Sequence, residues 1–167
     1  SVLSFFQVNK WCAEALYLKA FELANLQEGD RVLDAYAGSG TFAIYLGKKG
    51  LLVTAIESFK KSVEDGKMNA EMNNVSVEYI EGEVEKNGFN CVFINPPRKG
   101  VHEDVIKALG KISPEKIVYT SCDPATLARD LKKLEVEGYE FKKAIPFDMF
   151  PQTMHVETVA LLEKKCC

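Results

Sequence analysis

The residues with the most chemical potential in this 167-residue chain stand at the ends of apolar runs. Val118-Tyr119-Thr120-Ser121-Cys122-Asp123-Pro124 ends an apolar run in a thiol and then opens what reads as a helix. A cysteine that only fills core has apolar neighbours on both sides, and Cys122 does not. The carboxyl end of a strand is where open α/β sheets place their chemistry, and a helix N-terminus favours a thiolate. The carboxylate of Asp123 opposes that effect and is read as the helix N-cap.

Other stretches have the same form. Asp34-Ala35-Tyr36-Ala37-Gly38-Ser39-Gly40-Thr41 is a strand end followed by a glycine turn, where the backbone can approach a ligand closely. Asp34 suits a ligand bearing an ammonium group better than a pyrophosphate. The dinucleotide pattern also asks for a third glycine where Ala43 stands, although some variants accept alanine. Glu57, about 20 residues further on, can accept the ribose hydroxyls of an adenosine. Together these favour either S-adenosylmethionine (SAM) or NAD. Asn95-Pro96-Pro97-Arg98 separates the two. Its prolines remove two donors and hold an extended loop that presents Asn95 to a planar substrate, for which a nicotinamide enzyme has no general use. Arg98 suits a base carbonyl or a phosphate. Last comes His155-Val156-Glu157, an H-x-E pair without the P-C-x-x-C of a zinc deaminase, so no metal is expected.

These stretches require a frame to hold them. Apolar residues recur at helical spacing over 10–24, with Asn9 as a candidate N-cap. Strands are expected at 31–34, 51–56, 75–80, 91–94 and 116–120, with helices at 42–48, 58–72, 103–109 and 123–134 between them. Two final strands, 139–147 and 156–162, have no helix between them. Alternation of this kind predicts an α/β fold with a doubly wound, mostly parallel seven-stranded sheet. The short final connection requires an antiparallel hairpin, which distinguishes a Rossmann-like SAM-dependent methyltransferase sheet from the dinucleotide-binding one.

Composition narrows the setting. The net charge of −3 gives no global pull toward nucleic acid or an anionic membrane. Lys132, Lys133, Lys142 and Lys143 are candidates for a local basic face, against the commoner case of a solvated charge run. The five cysteines, Cys12, Cys91, Cys122, Cys166 and Cys167, show no disulfide framework, so a reducing cytoplasm is expected. No leader or membrane-spanning run is read from the sequence.

The sequence resembles the catalytic domain of the RNA uracil-5-methyltransferases, which make 5-methyluridine in tRNA or large-subunit rRNA. The resemblance is carried by Phe5-Phe6-Gln7-Val8-Asn9, the Asp34–Phe42 stretch, Glu57 and Asn95-Pro96-Pro97-Arg98-Lys99-Gly100. It continues through Tyr119-Thr120-Ser121-Cys122-Asp123-Pro124-Ala125-Thr126-Leu127-Ala128-Arg129-Asp130 and from Asp148 to Glu157. It implies a class I SAM-dependent fold over residues 1–167. This divides into a leading segment (1–25), a cofactor-binding half (31–100) and a half carrying nucleophile and base (101–167). Cys122 then corresponds to the nucleophile and Glu157 to the general base; Arg98 is the candidate for steadying charge on O4 of the base or on a neighbouring phosphate. Gln7, Tyr36, Thr41, Glu57 and Asn95 fall at cofactor positions beside Asp34, Gly38 and Gly40, with Glu83 near the adenine. The family usually has Asp where Asn95 stands, Asn where Asp123 stands, and often Cys at Ala37. Larger members carry N-terminal RNA-binding domains, expected to be absent here, and some hold an iron–sulfur cluster whose motif none of these cysteines matches. The alternative is a SAM-binding fragment with little activity of its own. A dinucleotide oxidoreductase fails on Asn95 to Arg98, and an amino-methyltransferase does not explain Cys122 with Glu157.

Overall fold

The computed structural model describes residues 10–82, 88–148 and 156–165. In chain order the elements are α1 (Lys10–Ala24), β1 (Arg31–Ala35), α2 (Thr41–Gly47), β2 (Leu52–Glu57), α3 (Lys60–Met72) and β3 (Val77–Glu81). They continue with β4 (Cys91–Ile94), α4 (Glu103–Ile112), β5 (Lys116–Ser121), α5 (Pro124–Val136), β6 (Tyr139–Phe147) and β7 (Glu157–Lys164). The strands form one sheet in the order β3-β2-β1-β4-β5-β7-β6. β1 to β5 pair in parallel, and β7 runs antiparallel to both β5 and β6. The expected mixed sheet is present, with its hairpin folded so that the last strand lies inside the sheet rather than at its edge.

Strand side chains alternate between two cores. Val118 packs with Leu16 and Ala20 of α1, Ala43 and Leu46 of α2, and Phe93. Its neighbours Ile117 and Tyr119 face the other way, toward Ile106 and Leu109 of α4 and Leu127 and Leu134 of α5. With both faces covered, central strands such as Cys91–Ile94 are buried at every position, which explains their continuous apolar reading.

Boundaries moved for local reasons. The third strand starts at Val77 rather than 75, because the Val75 N–H closes α3 on the Ala70 carbonyl. The fourth helix extends to Ile112, where Ser113 ends it in the left-handed conformation at φ 53°. α5 begins at Pro124, with the Asp123 carboxylate accepting the Thr126 N–H at 2.9 Å, so Asp123 is the cap its sequence position suggested. No helix among the described residues is long and apolar enough to cross a membrane.

Candidate active site

Because β2, β1, β4 and β5 are adjacent and parallel, Glu57, the Asp34–Gly40 turn, Asn95 and Cys122 come to one edge of the sheet. Three strand spacings separate β2 from β5, roughly 15 Å. This is long enough for a nucleoside at one end and a second planar group at the other.

At the β2 end the Glu57 carboxylate organises the turn. Its Oε2 accepts the Gly38 N–H at 2.9 Å and its Oε1 accepts the Phe59 N–H at 2.9 Å. The Ala37 N–H meets the Ile56 carbonyl at 3.0 Å, and Asn69 Nδ2 donates to the Ser39 carbonyl at 3.0 Å. Tyr36 and Gly38 both have positive φ, 67° and 55°. A Cβ at half-buried Gly38 would meet open space, so the turn leaves room for a ligand there. Gly40 has a different reason. A Cβ there would overlap the Tyr79 hydroxyl from β3, so its smallness serves packing rather than ligand approach.

Asp34 is buried beneath this turn. Burial pushes its carboxyl up to about 7, an effect that the Ala43 N–H partly offsets and Glu57 reinforces. Its Oδ2 and the Tyr79 hydroxyl are buried without hydrogen-bond partners. A turn with open space at Gly38, an acidic acceptor at each of two neighbouring strand ends, and an exposed Asn95 make a polar set that fits a cationic adenosine derivative. Thr41 opens α2 and is exposed beside it.

At the other end three expected residues converge. Ser121 is opposite Thr158 in the antiparallel β5–β7 pair, so one step further puts Cys122 beside Glu157. Cys122 is half-buried. Its thiol is raised by burial and by the Glu157 carboxylate, and lowered by the charge and hydrogen bond of Arg98. Glu157 is buried at 7% exposure, which raises its carboxyl, and Arg98 again opposes the shift. Asp123 is lowered chiefly by the Thr126 N–H, so its charge is committed to the helix cap. The arrangement is a thiol between one cation and one carboxylate of raised proton affinity.

Residues with no assigned role in the sequence also shape the site. Asp130, completely buried on α5, accepts the Val101 N–H and the Tyr119 hydroxyl, each at 2.8 Å. Arg129 donates to the Lys99 carbonyl at 2.8 Å. The Tyr36 hydroxyl, raised by burial, takes the His102 N–H and so ties the glycine turn to the loop after Arg98. The visible signal was a carboxylate inside the apolar stripe Leu127, Asp130, Leu134. Gln7, Asn9, Glu83 and His155 lie outside the described residues. Lys142 is 2.6 Å from Glu140 and 4.0 Å from Glu163, so the suggested basic face is not purely basic.

The family model described as tRNA (Uracil-5-)-methyltransferase matches residues 80–165, just over half of the chain and the part that holds Arg98, Cys122 and Glu157. The chain belongs to this family. It is similar to an uncharacterized RNA methyltransferase of Clostridium tetani, 46% identical over 170 residues that cover 96% of this chain and 37% of that protein. It is likewise 46% identical to the tRNA (uracil(54)-C(5))-methyltransferase of Pyrococcus horikoshii, covering 95% of this chain and 38% of that one. Among solved structures, the tRNA (uracil-54, C5)-methyltransferase of Pyrococcus abyssi in complex with S-adenosyl-L-homocysteine superposes with a TM-score of 0.85. The two are 42% identical over 96% of this chain and 40% of that one. The chain thus spans less than half the length of the uracil-5-methyltransferase relatives it matches. The precorrin-6y C5,15-methyltransferase of Geobacter metallireducens, 17% identical with a TM-score of 0.73, shares the fold.

Proposed function

We propose that this chain is a catalytic domain for SAM-dependent C5 methylation of a uridine in RNA, through a covalent bond from Cys122 to C6 of the base. The observation that carries this reading is the convergence of Arg98, Cys122 and Glu157 at the sheet edge occupied by the glycine turn. Gly38, Glu57, Asp34, Tyr36, Thr41 and Asn95 would hold the cofactor, with Gln7 and Glu83 as further candidates. Once bound, the cofactor supplies an electrophilic methyl group for C5.

The protein's own task is to make C5 nucleophilic. Addition of the Cys122 sulfur to C6 moves electron density onto the C4 carbonyl and leaves C5 enolate-like. The Arg98 guanidinium steadies the developing charge on O4, or a neighbouring phosphate. Glu157, with its raised proton affinity, removes the C5 proton after methylation. Elimination then restores the thiolate. The target uridine has to leave its stack to enter the crevice. The relatives named for a substrate act on tRNA, which favours tRNA over rRNA.

RNA carrying 5-fluorouridine has no C5 proton to lose and should trap the adduct in the presence of SAM. Persistence of that adduct in Cys122→Ala would sink the assignment. The span of less than half of the relatives favours a second reading, a SAM-binding unit whose RNA recognition lies elsewhere. Separate titrations with SAM and RNA discriminate the two, because SAM binding without RNA binding selects the second.

A further inference from the structure

The loop that carries Arg98 is built on a single buried carboxylate. The Gly100 N–H reaches the Pro97 carbonyl at 2.8 Å, which closes a tight turn with Arg98 and Lys99 at its centre. Gly100 has φ 83°, and a Cβ there would overlap Arg129 and Asp130, so the turn lies directly against them. Asp130 has no solvent exposure, yet both its oxygens are used. Oδ2 takes the Val101 N–H and the Tyr119 hydroxyl, and Oδ1 takes Arg129 Nε at 2.9 Å. Arg129 in turn holds the Lys99 carbonyl, and Tyr36 holds the His102 N–H. The backbone that follows Arg98 is therefore pinned at three residues, while Arg98 itself is exposed and its side chain hydrogen-bonds Cys122.

We propose that Asp130 is the positioning residue of this site: through the 97–100 turn it keeps the Arg98 guanidinium against Cys122 and Glu157. Its catalytic consequence rests on the function proposed above, but the positioning does not. The charged groups acting on Cys122 are Arg98 from the loop and Glu157 from β7, and of these Arg98 is the cation; Asp123, next in the chain, is itself held down chiefly by its helix-cap hydrogen bonds. If Asp130 sets where that cation sits, its loss must reach the thiol, although the two residues belong to different turns of structure.

The test is alkylation of Cys122 by iodoacetamide, followed by peptide mass spectrometry on the 167-residue chain from neutral to alkaline pH. Cys91, with 0% exposure, reports in the same spectra whether the fold is intact. Asp130→Asn should raise the Cys122 midpoint by about one pH unit and slow alkylation at neutral pH ~10-fold, as losing a nearby opposite charge does. Arg98→Gln should do the same, and the double variant should be no slower than either single one. An unchanged midpoint in Asp130→Asn with Cys91 still protected overturns the proposal, and so does an additive double variant. If Cys91 becomes reactive in Asp130→Asn, Tyr119→Phe decides. It keeps the carboxylate but removes one of its donors, and a smaller shift of the same sign supports the proposal while no shift overturns it. None of these measurements needs RNA or SAM. A normal thiol shift with no 5-fluorouridine adduct would therefore reject the proposed function and leave the positioning role standing.

Discussion

Cys122 and Glu157 stand next to each other across two antiparallel strands, one step beyond the Ser121–Thr158 pair, and burial together with that carboxylate holds the thiol above its ordinary range. In the proposed reaction, the group that would serve as base at C5 thus restrains the group that would attack C6. Arg98 offsets the restraint, since it lowers both groups.

Glu157→Gln should separate the two roles. Without the carboxylate, Cys122 ionises more readily and should alkylate several-fold faster at neutral pH. Methylation turnover should nevertheless fall by ~100-fold or more, as loss of a general base implies. Unmodified RNA should then accumulate as a covalent adduct, visible as a gel shift resistant to denaturation. Slower alkylation would contradict the electrostatic coupling.

Asp34 should leave its mark on stability against pH. Its folded value of about 7 lies above the ordinary 3.8, so the folded chain keeps a proton that the unfolded chain releases. The contribution is fullest below about 4 and is lost as pH rises to about 7, by up to roughly 4 kcal/mol. Urea unfolding of Asp34→Asn should show a correspondingly smaller loss of stability between those pH values. Parallel curves for the two proteins would refute the buried-carboxyl account.

Tyr79 and Gly40 make a paired prediction. Gly40→Ala meets both a left-handed φ of 80° and the Tyr79 hydroxyl, and should destabilise by about 2 kcal/mol or more. Tyr79→Phe removes a hydroxyl that has no hydrogen-bond partner, and should be neutral or stabilising by about 1 kcal/mol. It should also soften the cost of Gly40→Ala in the double variant. Denaturant midpoints measure all three.

Glu57→Ala should weaken SAM binding at least ~10-fold by calorimetry, because the turn loses its Gly38 anchor and the start of α3 its Phe59 anchor, together with any ribose contact. Glu57→Gln should recover little. An amide offers only one acceptor oxygen where two backbone N–H groups now meet two. Affinity equal to wild type in Glu57→Gln would show that the anchors do not matter.

Much of this was legible because the signals are local. Lys10–Ala24 and Tyr139–Phe147 match their sequence patterns end to end, and Cys122, Asn95 and Glu57 stand at strand ends as their flanks implied. What escaped needs contacts distant in sequence. Nothing near Gly40 announces Tyr79, and nothing near Arg98 announces Asp130. Helix caps shifted several boundaries because a single backbone N–H, such as that of Val75, finds its partner behind it.

The insertion of β7 between β5 and β6 has a consequence for a chain emerging from the ribosome. Among the described residues β6 pairs with the sheet only through β7, so β6 must wait for β7, and the carboxylate at the head of β7 arrives with it. Until then the thiol has neither its neighbour nor a covered flank. The strand that joins β6 to the sheet is thus also the one that brings the thiol its carboxylate neighbour.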